Sequence, residues 1–84
     1  MTHPTIHLNG TSKSELLENL IEAGAACQHA IKKVAETAPN GRDYYTQDRN
    51  AFKQANIEHH SRLDRLKAVL AELEEMMEHI AQHD

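Results

Sequence analysis

One cysteine, Cys27, leaves no partner for an internal disulfide, so the chain is not a small scaffold stapled by covalent bridges. Three glycines and two prolines are too few to punctuate a many-stranded sandwich or barrel. Tryptophan is missing, and one phenylalanine and two tyrosines supply all the aromatic rings of that kind. No run of 18 apolar residues exists, which excludes a membrane-spanning helix. The first twenty residues lack the charged-then-apolar pattern of a secretory leader, so a soluble, cytoplasmic protein is expected. Leu, Ile, Val and Phe together number 16 of 84, which borders on the composition of disordered chains, but the net charge of -4 is too small to complete that signature. Order must therefore come from patterning. What is present is helix material: eleven alanines, eight leucines and nine glutamates. The expected class is all-α in one domain, small enough that a single copy buries little.

Thr2–Gly10 holds Pro4 and the alternation Ile6, His7, Leu8, Asn9, which suits a short extended N-terminal arm over residues 1–11. Ser12 and Glu15 have the spacing of a capping box, so a helix starts at Lys13. Leu17, Leu20, Gly24, Cys27, Ile31, Val34 and Ala38 then recur in alternating steps of three and four until Pro39-Asn40-Gly41 breaks the run. Phe52, Asn56, His59, Leu63, Leu66, Leu70, Leu73, Met77 and Ile80 form a second such row, with Thr46 or Asp48 as its cap. The reading is an antiparallel helical hairpin over 12–84: one helix over about 13–37, a turn over 38–46 and a second helix over about 47–82. With a symmetric connection, partners across the hairpin have numbers summing to about 85, and the end of the second helix projects about 15 Å past the first. Met76, Met77 and Ile80 would then need cover from the arm or from another chain. Side rows at Leu16, Ala23 and Ala30, and at Ile57, Val69 and Met76, widen both apolar stripes, so a homodimer or higher homo-oligomer in the form of a helix bundle is expected.

Charge is sorted along the chain. Residues 42–67 carry a small basic excess, and 68–84 hold five acidic residues without one Lys or Arg. At the turn, Arg42 offers a planar fork for phosphate, Tyr44 and Tyr45 offer rings that stack on a base, and Asn40-Gly41 offers a backbone open to close approach. The competing reading is a solvated loop whose tyrosines cap the hairpin core. Asn56 and His59 interrupt the apolar row and fall, on that register, opposite Ala30 or Ile31 and Cys27. They form either a polar seam pair that fixes register or the lining of a polar pocket. Cys27 with His59 lacks an orienting carboxylate and an oxyanion donor, so no catalytic residue is named and no enzyme is expected. His79 and His83 have metal-ligand spacing with Glu75 one turn earlier, yet histidines in a last turn also complement the helix dipole. No Glu-x-x-His pair is present, and neither a metal nor a cofactor is expected. The acidic balance disfavours duplex nucleic acid as a partner.

Thr5-Ile6-His7-Leu8-Asn9-Gly10-Thr11, the turn Ala38-Pro39-Asn40-Gly41-Arg42-Asp43-Tyr44-Tyr45, and Ala55, His59 and Arg62-Leu63 together resemble small proteins of bacteriophages and prophages that have no established activity. The resemblance spans most of the chain and implies a context, the cytoplasm of a bacterial host, where such phage proteins bind and disable a defence component, either a protein or a nucleotide signal. The expected function is a non-enzymatic, anti-defence accessory protein. It would sequester a nucleotide-like ligand through Asn40, Arg42, Tyr44 and Tyr45, with Asn9 and Thr11 supplied by a neighbouring subunit's arm. The alternative is a protein-protein inhibitor or assembly factor that presents Glu72, Glu74, Glu75 and Glu78 to a basic surface on a host defence protein.

Overall fold

The computed structural model describes residues 1–83 and holds two α-helices joined by a turn-rich connection. Helix α1 spans Lys13–Ala35, and helix α2 spans Ala51–Ala81. Between them lies a short 3-10 turn at Gly41–Asp43. Residues 1–12 contribute no helix and no strand.

Ser12 caps α1 as the sequence predicts: its backbone is extended and its Oγ accepts the Glu15 amide at 3.2 Å. Glu15 lies in the first turn and Lys32 and Lys33 in the last, so both ends complement the helix dipole. The helix stops at Ala35, two residues before the expected end. The Val34 carbonyl, which a continuing helix would offer to Ala38, accepts instead from the Thr37 amide at 2.9 Å and the Thr37 hydroxyl at 2.6 Å. Pro39 next disfavours helical backbone at Ala38.

Helix α2 begins at Ala51, four residues later than the spacing predicts. Residues 41–50 are taken up by successive tight turns, in which the Tyr44 amide donates to Gly41, the Gln47 amide to Tyr44 and the Ala51 amide to Asp48. Asp48 is a turn residue rather than the helix cap, its carboxylate accepting the Asn50 amide at 2.8 Å. The N-cap position belongs to Asn50, whose side chain makes no capping bond.

The two helices pack antiparallel, but in a register different from the expected one. The Cys27 thiol donates to the Leu66 carbonyl at 3.5 Å. Leu70 and Met77 crowd Gly24. The Lys13 ammonium donates to the carbonyls of His83 at 2.6 Å and Ala81 at 3.5 Å. Residues level with each other thus sum to about 94 instead of 85, a displacement of some nine residues along α2, or about 14 Å. Three expectations are overturned by this. The C-terminal end of α2 does not project, because its last carbonyls are capped by the first residue of α1. Met77 has an intrachain partner in Gly24. His59 is level with the end of α1 and far from Cys27.

The longer helix overhangs at the other end, where the first two turns of α2, residues 51–58, run past Ala35. The 36–50 connection folds back over them, with the Tyr44 and Phe52 rings 6.2 Å apart and tilted by 42°.

Among the described residues only Gly24, Ala55, His59 and Ile80 are buried. The chain exposes 6420 Å², whereas a compact monomer of this mass exposes about 5,000 Å². Its radius of gyration is 18.6 Å, against about 12 Å for a compact domain of this length.

A Cβ on Gly24 would stand 3.0 Å from the Met77 terminal methyl, the far end of a flexible side chain. Gly24→Ala is expected to raise stability by about 0.5–1 kcal/mol through helix propensity, and Gly24→Leu to lower it by about 1–3 kcal/mol through overpacking. Thermal melts of both variants check this.

Candidate functional site

The turn is built from local hydrogen bonds that leave some of its side chains unused. Asn40 has extended backbone, and its Oδ1 accepts the Arg42 amide at 3.1 Å. That side chain therefore starts the 3-10 turn and is committed to structure. Tyr44 is half-buried on the Phe52 side, as expected of a residue that caps the core. Tyr45 is 81% exposed. Arg42 is exposed, and among the described residues no carboxylate lies within 4.0 Å of its guanidinium. The four turn residues are thus brought together in sequence and space but divide by task. Asn40 and Tyr44 hold the turn, while Arg42 and Tyr45 present a planar cation and a ring to solvent.

Asn9 and Thr11 are both exposed and adjoin a turn closed by the Gly10 amide on the His7 carbonyl at 3.1 Å. They stand at the opposite end of α1 from the turn, and the 23 residues of that helix separate the two groups by about 34 Å. One chain does not assemble the six residues into one site.

The polar pair also separates by environment. Asn56 is half-buried, whereas His59 is 3% exposed with an Nδ1 that has no hydrogen-bond partner. Its ring lies 5.8 Å from that of His60. A buried, unsatisfied nitrogen costs about 1–3 kcal/mol, so His59 contributes no net stability through that atom.

At the far end, a cavity of about 310 Å³ is lined by His3–Ile6 and by His79, Ile80 and His83. The His3 and His79 rings stack 4.2 Å apart and 11° from parallel, His3 Nε2 lies 3.9 Å from the Glu75 carboxylate, and Ile80 beneath is fully buried. Parallel stacked imidazoles do not aim their nitrogens at one point, and among the described residues no three His, Cys, Asp or Glu side chains are placed to hold a metal ion. The cluster ties the start of the chain to the end of α2. Cover of this end by the arm is among the expectations from the sequence, but the His3–His79 stack itself joins residues 76 apart and no local spacing announces it.

A third feature also escapes the sequence reading. Val34, Leu66 and Val69 floor a groove of about 340 Å³ whose wall is Arg62 and Arg65. Both guanidinium groups are exposed, and among the described residues neither has a carboxylate within 4.0 Å. The acidic residues Glu72, Glu74, Glu75 and Glu78 lie further along the same helix and are exposed, with the His3 contact at Glu75 and a Gln82 amide donating to Glu78 at 3.5 Å. No helix among the described residues is long and apolar enough to cross a membrane. No family model matches this chain, and no curated protein or solved structure matches it.

Proposed function

We propose that this chain is a non-enzymatic phage accessory protein that self-associates and sequesters a nucleotide-like ligand at the turn, disabling a defence signal in the bacterial cytoplasm. The observation that carries the reading is the division of labour within the turn. Asn40, Tyr44 and Asp48 already satisfy its structural needs, which leaves Arg42 and Tyr45 exposed with no structural task. A guanidinium fork beside a free phenol ring suits a ligand that combines phosphate with a base. Because Asn9 and Thr11 are about 34 Å away along α1, they can join this site only from another copy. The surface in excess of a compact monomer, 6420 Å² against about 5,000 Å², supports such an assembly.

A thermal-shift series with mono- and cyclic nucleotides tests the reading. A ligand at about 100 times its Kd stabilises the folded state by about 2.7 kcal/mol, which for a chain of this size raises Tm by at least about 10 °C. An unchanged Tm across the series would remove the nucleotide and favour the acidic face of α2 as the functional surface.

A further inference from the structure

Arg62, Arg65, Val69, Glu72 and Met76 follow one another on α2 in alternating steps of three and four, so they share one stripe along the flank of the helix. This stripe is not the one that faces α1, which holds His59, Leu66, Leu73 and Ile80. Its charge changes sign about Val69, with two guanidinium groups before it and a carboxylate after it. Val69 is 49% exposed, and it shares with Val34 and Leu66 the groove walled by the two arginines.

We infer that a second copy of this chain docks here, its α2 antiparallel to the first across a two-fold axis at Val69. In that arrangement Arg65 of each copy meets Glu72 of the other, Arg62 lies over Met76, and the two Val69 side chains meet at the axis. Opposite charges are paired twice by one symmetry operation. A parallel arrangement would set Arg65 against Arg65 and Glu72 against Glu72. The area fits as well. A standard interface takes about 800 Å² from each partner, and the chain exposes well over that amount beyond what a compact monomer of its mass would.

The same two-fold has a consequence for the turn. With Val69 at the axis, residue 55 of one copy is level with residue 83 of the other. The partner's N-terminal segment, which is tied to the end of its α2 through the His3–His79 stack, then lies beside the overhang and turn of the first copy. Self-association on this flank deepens the proposed function by delivering the partner's Asn9 and Thr11 toward Arg42 and Tyr45. The test reads mass rather than nucleotide binding, so either can fail alone.

Sedimentation of the full chain at micromolar concentration is expected to show an assembly for the parent and a loss of at least half its mass for Arg65→Glu and for Glu72→Arg. An equimolar mixture of the two variants restores the contact. The carboxylate introduced at position 65 of one chain then faces the guanidinium introduced at position 72 of the other, the second pair is the native one, and the parent mass should return. In a Cys27→Ser background, Val69→Cys should oxidise to a covalent dimer, which reports the axis even if a charge variant fails to fold. Parent mass in both single variants, a mixture that stays dissociated, or a Val69→Cys chain that remains uncrosslinked under oxidation would each overturn the two-fold at Val69.

Discussion

Replacing Leu70 by Asp is expected to abolish folding. Leu70 lies in the seam, with its Cδ1 3.9 Å from the place a Gly24 Cβ would occupy. The exposed Glu74 lines the same side of the helix pair. A carboxylate at position 70 would lose the leucine's packing and place a second acid one turn from Glu74. The combined cost is roughly 3–5 kcal/mol, set against a total stability for small domains of about 5–15 kcal/mol. With four buried residues among those described, the chain belongs at the low end of that range. Leu66→Asp should be milder, because Arg62 and Arg65 share its groove and can partly compensate the charge. Glu74→Lys should fold as the parent does. Circular dichroism across a thermal melt reads all three, and a Leu70→Asp chain as helical and as stable as the parent would show that the seam is wrongly assigned.

The second large effect is expected at Arg42. Its side chain is exposed and has no carboxylate partner among the described residues, so Arg42→Ala should change stability by less than about 0.5 kcal/mol. Nucleotide uptake should nevertheless weaken by about 10- to 100-fold, since a hydrogen bond to a charged group is worth about 1.5–3 kcal/mol. Arg42→Lys keeps the charge and loses the fork, so partial loss indicates planar recognition and full retention simple electrostatics. The tyrosines make separable demands. Tyr45→Ala, at an 81% exposed position, should weaken uptake without touching the fold. Tyr44→Ala should lower Tm because its ring packs near Phe52, and Tyr44→Phe should retain both properties. Calorimetry and a phage-plating assay on defence-competent hosts provide the readouts. Unchanged uptake and plating in Arg42→Ala would remove the turn as the ligand site.

Periodicity and capping made both helices legible in the sequence: Ser12 and Glu15 mark the start of α1, and the three-four spacing identifies the seam faces. The register was not legible, because it depends on how many residues the connection consumes and where it puts them. A Thr37 hydroxyl donating to the Val34 carbonyl, and an Asp48 carboxylate accepting from the Asn50 amide, lengthen the connection to residues 36–50. Neither bond changes an apolar period. The displacement of α2 then moved His59 away from Cys27 and gave Met77 a partner. At the turn, the residue types were readable but their division was not. Which of two adjacent tyrosines packs inward depends on Phe52, and Phe52 reaches the turn only because α2 overhangs α1.

That overhang divides the molecule into two regions of different cooperativity. Residues 59–81 of α2 face α1 along a continuous seam, whereas residues 51–58 are covered on that side only by the folded-back connection. The 36–58 segment can therefore open as a unit while the helix pair stays intact, a sub-global fluctuation that native-state hydrogen exchange resolves from global unfolding. Amides of Gln54 and Asn56 should exchange through this local opening, and those of Leu66, Leu70 and Leu73 only through loss of the whole fold. A ligand seated on Arg42 and Tyr45 would slow the first set selectively, so exchange rates can map where it binds without a structure of the complex.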